Sequence, residues 1–180
     1  GWLNNNMKSN LTIIELKNYN RKVTYDLPIL PSPNLPNRKS INLYPSLCLF
    51  EGTNVSVGRG TEMQFQIYGS PYLNKEKNNF RFTPKKNSGS KYPKHENLLC
   101  FGKNLSENKK LDKFDLSFLL NAYSDTNDKQ NFFNNYFDKL AGTNSLKNQI
   151  ISGLSEKKII QSWKKKLDIY KEMRMKYLIY

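Results

Sequence analysis

The sequence predicts an α+β fold, in which a small mixed or antiparallel sheet is followed by helices. Short strand-like runs separated by turn residues lie between residues 40 and 83, and apolar residues at helical spacing begin after about residue 112. Strands that precede helices in this way are typical of α+β domains. At 180 residues, the chain suits one domain, or one domain plus a piece of another.

The first predicted element is the short run Leu11–Ile14, whose β-branched residues indicate a buried strand. The segment "DLPILPSPNLPNRKS" follows and contains Pro28, Pro31, Pro33 and Pro36. Each proline fixes φ and removes a backbone donor, so the segment is predicted to be an extended, semi-rigid connector. It forms either a domain boundary or a crossover that lines a cleft.

Three strands are predicted in the next part, in "INLYPSLCLF", "MQFQIYG" and "FRFTP". In the second of these, polar and apolar residues alternate, which predicts a half-buried strand. The alternating residues are Met63, Gln64, Phe65, Gln66, Ile67 and Tyr68. The polar stretch "NSGSKYPKHEN" then predicts a long loop, and long loops are often functional.

Helical spacing follows after residue 112. Asp115 is a suitable cap for a short helix, and the aromatic-rich run 132–140 predicts a second helix that ends at Gly142. A third is predicted from Asn144 to Gly153. The first of these helices carries Leu116, Leu119, Leu120 and Tyr123, and the second carries Phe132, Phe133, Tyr136, Phe137 and Leu140.

The last helix has the clearest signals. Ser155 is a good N-cap, Glu156 lies in the first turn, and Leu154 can pack onto Ile159. One apolar stripe is predicted to pack into the core, while the lysines at 164–166 form a solvated face. The stripe consists of Ile159, Ile160, Trp163, Leu167 and Tyr170.

The net charge of +14 is of the kind that attracts a polyanion such as nucleic acid, an anionic membrane or a cell-wall polymer. Lysines supply nearly all of this charge, and Asn, Ile, Tyr and Phe are also abundant, which favours the base composition of an AT-rich genome as its source. The arginine clusters and base-stacking signature of nucleic-acid modules are missing, so no nucleic-acid partner is expected. No run is apolar enough to span a membrane.

Cysteine and histidine are too few for a metal site. Cys48, Cys100 and the single histidine, His95, are far apart in sequence, whereas structural zinc needs four N or S ligands at short spacings. No metal and no cofactor are therefore expected. The two cysteines either pair, if the protein is exported, or remain free buried thiols. His95 is predicted to lie in a surface loop.

The stretch "EGTNVSVGRGT", residues 51–61, has the features of a binding loop. Its glycines permit positive φ or a close backbone approach, and its Thr, Asn and Ser side chains suit sugar hydroxyls or amides. Arg59 offers a planar fork that matches a carboxylate, and Glu51 is a candidate acid, base or nucleophile. Alternatively, Glu51 and Arg59 pair with each other in a glycine-rich bulge, and composition leaves this alternative open.

Five segments in order, "PSPNLPN", "YPSLCLFEGTNVSVGRGT", "FQIYGSPYL", "FDKLAGT" and "SWKKKLDIYKEMRMKYLIY", closely resemble the NamZ-type exo-β-N-acetylmuramidases. The resemblance implies the release of β-1,4-linked N-acetylmuramic acid from non-reducing ends of peptidoglycan fragments. It also implies that residues 1–39 are the remnant of a Rossmann-like domain plus the proline-rich crossover, and that residues 40–180 are the C-terminal α+β domain. The active site is then expected in the cleft between these two domains.

The resemblance also implies site residues. The main catalytic glutamate of the family belongs to the part that precedes this chain, so the chain alone is expected to be inactive. Glycosidases use two carboxyl groups, and Glu51 is the candidate for the second. The residues expected to bind a muropeptide or disaccharide are Ser32, Asn34, Asn54, Arg59 and Thr61.

Two questions stay open at this point. The alternative function is a non-catalytic module that binds peptidoglycan or another anionic glycan. The resemblance suggests an exported protein, yet the chain shows no secretory signal pattern, so the location is left undecided.

Overall fold

The computed structural model describes residues 9–23 and 25–180. The chain divides into two compact units. One comprises Leu27–Glu156, and the other comprises the described residues up to Asp26 together with Lys157–Tyr180. The part of the predicted Rossmann-like remnant at residues 1–8 lies outside the described residues, and the boundary between residues 39 and 40 stays a prediction.

A three-stranded antiparallel sheet lies in the larger unit, as the α+β prediction requires. It consists of β1 (Ile67–Ser70), β2 (Phe80–Phe82) and β3 (Cys100–Asn104), in the order β1-β3-β2. The prediction of a half-buried "MQFQIYG" strand is wrong, because all four residues of β1 are buried and Gln64 and Gln66 are buried as well. Residues 64–66, which carry most of the alternation, form a turn before β1, and Phe65 has a φ of 53°. The alternation of polar and apolar residues therefore predicted a strand where the chain turns.

The strand predicted in "INLYPSLCLF" is wrong, because this segment is helical. Helix α1 covers Arg38–Leu47, and a 3₁₀ helix continues it over Cys48–Gly52. Asn37 and Ser40 form a reciprocal capping box, in which the Asn37 side chain accepts from the Ser40 amide at 2.9 Å. Leu43 and Leu47 lie one turn apart and are both fully buried. The cap and this spacing outweigh Pro45, which disfavours a helix interior.

Four further helices follow the sheet: α2 (Ser117–Asp125), α3 (Phe137–Ala141), α4 (Ser145–Ile151) and α5 (Glu156–Met175). The prediction that Asp115 is the cap of α2 is wrong, because the N-cap residue is Leu116, which makes no side-chain cap hydrogen bond. Asp115 lies one residue earlier, and its side chain accepts from the Ser117 amide at 2.9 Å. Gly142 follows α3 with φ of 70°, and Gly153 follows α4 with φ of 72°. Both predicted glycine stops are confirmed.

The helix predicted over 132–140 is shorter than expected, because only its last part is helical. The carbonyl of Phe132 accepts from the Asn54 amide at 2.8 Å, and Phe133 forms a β-bridge with Thr53. These backbone groups are therefore used by the motif loop. The rings of Phe132 and Phe133 meet edge to face, with centroids 4.9 Å apart, and Phe132 is fully buried.

The core of the larger unit lies between the sheet, the 3₁₀ helix and α2. Phe50 stacks on Tyr68 with ring centroids 5.0 Å apart, and Tyr68 contacts Phe118 at 6.2 Å. Burial raises the pKa of the Tyr68 hydroxyl well above its usual value. The sequence thus places the motif residues that follow Phe50 directly at the edge of this aromatic core.

The other unit buries few of its apolar residues. The predicted strand at Leu11–Ile14 is wrong, because no strand is present between residues 9 and 23, and Ile14 is 91% exposed. A β-branched run forms a strand only where another strand pairs with it. The contacts that this unit does make include an Arg21 Nε hydrogen bond to the Tyr180 carbonyl at 2.8 Å.

Helix α5 begins at Glu156, as the predicted cap at Ser155 requires, but its apolar stripe is only partly buried. Ile159 is fully buried and Trp163 is half-buried, whereas Leu167 is 44% exposed. The prediction that the stripe packs as a whole into the core is therefore wrong among the described residues. The solvated lysine face is confirmed, since residues 164–166 are all exposed.

Candidate functional site

The motif segment 51–61 is held against the sheet by backbone hydrogen bonds. Ser56 exchanges two hydrogen bonds with Gly69 of β1, at 2.8 and 2.9 Å, and Phe65 donates to Val57 at 2.8 Å. Most of the segment is buried although its composition is polar. Its peptide groups are satisfied by the sheet, which allows a polar stretch to lie inside the fold.

The GRG turn of the motif depends on its glycines. Gly58 and Gly60 have φ of 78° and 79°, the left-handed region that glycine adopts freely. A Cβ at Gly60 would lie 2.6 Å from the Lys85 carbonyl oxygen and 2.7 Å from Cβ of Pro93. Gly60 therefore lets the loop around Pro93 approach the motif closely.

Lys94 anchors this loop from the other side. Its Nζ donates to the carbonyl oxygens of Phe50, Thr53 and Val55, at 3.1, 2.5 and 3.1 Å. An ammonium group has three hydrogens, and each finds one carbonyl. The curvature of residues 50–55 is therefore stabilised by a single side chain from a distant loop.

Several effects act on the charge of Lys94. Burial lowers its pKa, the Glu51 carboxylate partly offsets this and the Arg59 guanidinium adds to it, with a net pKa of about 8. The three carbonyls also favour the charged form, since a neutral amine cannot donate to all of them. Lys94 is therefore an ammonium near neutral pH.

Glu51 and Arg59 form an ion pair at the edge of this structure. Arg59 Nε donates to Glu51 Oε1 at 2.8 Å, and both side chains are about one-third exposed. The Arg59 guanidinium also lies over the Phe65 ring, 5.3 Å from its centroid. Among the described residues, its two terminal nitrogens have no hydrogen-bond partner. Arg59 is thus held by its Nε and its stacked face, which leaves the terminal nitrogens for a ligand.

A pocket of about 180 Å³ lies beside this ion pair. The motif forms one wall and the loop with Pro93 forms the other. The residues that line it are Glu51, Val55, Ser56, Val57, Arg59, Tyr92, Pro93 and Lys94. It is smaller than the ~300–1,000 Å³ clefts that hold drug-sized ligands, so it suits one sugar residue or part of one.

Two predicted binding residues of the motif lie outside the pocket lining. The Thr61 hydroxyl donates to the Gly58 carbonyl at 2.7 Å and accepts from the Met63 amide, so it shapes the GRG turn. The Asn54 amide oxygen and nitrogen are buried and have no hydrogen-bond partner among the described residues. Direct contact between Asn54 and a substrate stays a prediction.

The two predicted residues of the proline-rich segment also lie outside the pocket lining. Ser32 Oγ accepts from the Asn34 amide at 3.1 Å. Asn34 is buried, and its Nδ2 donates to the Gly89 carbonyl at 2.7 Å. The structure therefore places Asn34 against the loop that leads to Tyr92, where it supports the pocket wall.

His95 is partly buried, so the prediction of a surface histidine is wrong. Its Nε2 lies 2.6 Å from the Asn54 carbonyl oxygen and 3.4 Å from Ser70 Oγ. A carbonyl only accepts, so Nε2 carries a proton and cannot act as a base towards Ser70. Burial lowers the pKa of His95, which keeps the ring neutral. His95 is thus a further support of the motif loop.

Other reaction types find little support in the part of the chain that the structure describes. Cys48 and Cys100 are free thiols, and burial raises the pKa of both, to about 12 for Cys100, which disfavours the reactive thiolate. No cluster of His, Cys, Asp and Glu able to hold a metal lies within residues 9–23 and 25–180. No described helix is long and apolar enough to cross a membrane.

The sequence did not predict the roles of Tyr92, Pro93 and Lys94. The available signal was the long loop "NSGSKYPKHEN", whose length indicated function without naming residues. The partners of Lys94 are backbone carbonyls, which leave no trace in side-chain patterns.

Comparison with protein families identifies the chain. The family described as "Exo-beta-N-acetylmuramidase NamZ, C-terminal" matches residues 42–180. The chain belongs to the NamZ family. This confirms the resemblance seen in the five segments, and the matched residues include the whole pocket lining.

Two relatives extend the match to most of the chain. A curated protein of Bacillus subtilis (strain 168), "Peptidoglycan beta-N-acetylmuramidase NamZ", is 35% identical over 96% of the chain and 46% of its own length. A crystal structure of a DUF1343 family protein from Bacteroides fragilis NCTC 9343 is 44% identical, with a TM-score of 0.85 over 91% of the chain and 47% of that protein. The chain therefore spans about half the length of these two relatives.

Proposed function

We propose that this chain is the C-terminal part of a peptidoglycan glycosidase that releases terminal β-1,4-linked N-acetylmuramic acid from non-reducing ends. Membership of the NamZ family supports this class of reaction. The observation that carries the proposal is the Arg59 guanidinium, held at Nε while its terminal nitrogens remain without a partner among the described residues. Such a group is suited to a carboxylate on the substrate.

The lactyl carboxylate of N-acetylmuramic acid is the group that we assign to Arg59. A guanidinium binds a carboxylate through two parallel hydrogen bonds, which fixes orientation as well as charge. Glu51 occupies only the Nε position, so both terminal NH₂ groups remain for this purpose. N-Acetylglucosamine lacks the lactyl group, and the pocket would therefore prefer the muramic sugar.

Glu51 is our candidate for the second of the two carboxyl groups that glycosidases use. It lines the pocket and accepts from Arg59 Nε at 2.8 Å, a position that suits a base, a nucleophile or a charge stabiliser. The general acid would then come from residues outside this chain. In this proposal the chain alone binds the sugar without hydrolysing it.

A second function is supported by the same ion pair. Glu51 accepts a hydrogen bond from Arg59 Nε at 2.8 Å. This contact would orient the guanidinium even if Glu51 took no part in the chemistry. In that case the chain is a non-catalytic module that binds an anionic peptidoglycan fragment. The two functions differ in whether the Glu51 carboxylate is needed for turnover.

The test measures release of N-acetylmuramic acid by the longer protein that contains this chain. Glu51→Gln is expected to lower kcat by about 100-fold or more, the usual size of an acid–base contribution. Arg59→Lys keeps the charge but loses the planar fork, so it is expected to raise KM about tenfold with a smaller change in kcat. Arg81→Lys is the matched control, because Arg81 also lies over a phenylalanine ring but does not line the pocket.

The outcomes separate the two functions. Release at the wild-type rate by Glu51→Gln would rule out a chemical role for Glu51 and leave the binding module. An unchanged KM in Arg59→Lys would contradict recognition of the lactyl carboxylate. Circular dichroism of each variant shows whether its fold is retained.

A further inference from the structure

Tyr92 combines two properties that few side chains in this chain share. It lines the pocket next to Arg59, and it is 85% exposed. Because so little of the residue is buried, its ring contributes little to the stability of the fold. An aromatic side chain on the rim of a pocket offers a large, rigid apolar face to a ligand.

The backbone on the C-terminal side of Tyr92 is fixed. Pro93 is buried in the space that the missing Cβ of Gly60 leaves open. Lys94 follows at once and donates to three carbonyls of the motif. The two residues after Tyr92 are therefore anchored to the opposite wall of the pocket.

The backbone on the N-terminal side is fixed as well. Asn87 and Ser90 exchange two backbone hydrogen bonds of 3.1 Å, which close a tight turn. Asn34 Nδ2 donates to the Gly89 carbonyl within this turn at 2.7 Å. Tyr92 thus projects from a loop that is held on both sides, so ordering it costs a ligand little entropy.

Lys86 restrains the ring itself. Its Nζ lies 5.4 Å from the centroid of the Tyr92 ring and 3.7 Å from Glu96 Oε1. A cation over one ring face occupies that face and leaves the opposite one for another contact.

We propose that Tyr92 is the platform on which the sugar ring lies while its carboxylate is bound by Arg59. This inference rests on the proposed function and adds the residue that recognises the pyranose. The C–H bonds of a sugar face carry small positive charges, which are attracted to the negative face of an aromatic ring. The ligand class is therefore a pyranose that bears a carboxylate on a short linker.

This arrangement separates two contributions to binding. Arg59 recognises the carboxylate of any small acid, whereas Tyr92 recognises only a ligand with a ring. A carboxylate without a sugar should therefore bind with Arg59 alone. The pair gives the pocket its preference for an acidic sugar over either half of that sugar.

The test is a titration of the 180-residue chain, followed by NMR, with N-acetylmuramic acid, D-lactate and N-acetylglucosamine. Tyr92→Leu is expected to weaken binding of N-acetylmuramic acid about tenfold, near the upper end of the range for aromatic contacts, and Tyr92→Phe to restore it. Binding of D-lactate is expected to change less than twofold in Tyr92→Leu. Tyr136→Leu is the control, since Tyr136 is exposed in the same unit but does not line the pocket.

The results distinguish this inference from the proposed function. If Arg59→Lys weakens binding of N-acetylmuramic acid but Tyr92→Leu does not, the platform is overturned and the proposed function stands. If Tyr92→Leu weakens D-lactate equally, Tyr92 acts through the loop and the platform is again overturned. If wild type does not bind N-acetylmuramic acid, or Arg59→Lys binds it unchanged, the proposed function fails and the platform with it.

Discussion

The motif segment 51–61 and helix α5 contrast in how sequence relates to burial. The motif is rich in glycine and polar residues, yet most of it is buried. Helix α5 carries a regular apolar stripe, yet Ile159 is its only buried residue among those described. The hydrophobic pattern alone would have predicted an exposed motif and a buried helix face.

The two regions differ in whether their groups find the partners that burial requires. The buried peptide groups of the motif pair with β1, with Phe132 and with Lys94, so their polarity costs little. The apolar side chains of the helix need an apolar surface over them, and most of them lack one in the described residues. Burial of a polar loop thus depends on partners far away in sequence, which local pattern cannot reveal.

The contrast predicts its largest effect at Lys94. Lys94→Met keeps the length and packing of the side chain but removes the ammonium from three carbonyls. The Phe50 carbonyl keeps its hydrogen bonds from the Thr53 amide and hydroxyl, whereas the carbonyls of Thr53 and Val55 lose their partner. Each buried acceptor left without a partner costs about 1–3 kcal/mol, so the free energy of unfolding is expected to fall by about 4 kcal/mol. Urea denaturation followed by tryptophan fluorescence measures this change.

Lys91→Met provides the matched control. Lys91 lies in the same loop, three residues away, and is exposed. Its substitution is expected to change stability by less than about 0.5 kcal/mol, as for most surface sites. Equal effects of the two substitutions would mean that the carbonyls are satisfied in another way, and the account of the buried motif would be wrong.

The second prediction concerns the uneven burial of the apolar stripe on helix α5. Ile159→Ala is expected to lower the free energy of unfolding by about 3 kcal/mol, because Ile159 is fully buried. Leu167→Ala lies on the same stripe of the same helix, but Leu167 is 44% exposed, so a loss below about 1 kcal/mol is expected. Chemical denaturation of both variants gives the comparison.

Similar losses for the two variants would contradict this expectation. They would mean that the stripe is buried along its length in solution. The original prediction of a fully packed helix would then hold, and the contrast with the motif would disappear.

Elements with local signals could be predicted from the sequence. Helix α5 and the glycine stops at Gly142 and Gly153 are set by caps and left-handed φ values within a few residues. Helix α1 was missed because Pro45 disfavours a helix interior and the capping box of Asn37 and Ser40 was not weighed against it. That capping box was present in the sequence and would have corrected the prediction.

The site could be predicted only in part. Glu51 and Arg59 stood out as the lone charges of a glycine-rich loop, and their mutual pairing was one of the two alternatives. The opposite wall of the pocket could not be predicted, because Tyr92 and Lys94 reach it through a loop that follows β2. The Lys94 contacts span 39 to 44 residues, so they depend on tertiary structure and no local pattern encodes them.

The smallest expected effect concerns the pH dependence of the Lys94 contact. Burial lowers the pKa of Lys94 to about 8 from its ordinary 10.5. Between these two values the unfolded chain binds more protons than the folded one, so the contribution of Lys94 to stability rises with pH. The difference in free energy of unfolding between wild type and Lys94→Met is therefore expected to grow from pH 8 to pH 10.

This difference isolates Lys94 from other groups that titrate in the same range, above all Tyr68, whose raised pKa acts equally in both proteins. Denaturation at several pH values gives the slope directly. A difference that shrinks as the pH rises would mean that the three carbonyls hold the proton more strongly than burial expels it. That outcome would place the pKa of Lys94 in the folded protein above its ordinary value, because the folded chain would then bind more protons than the unfolded one.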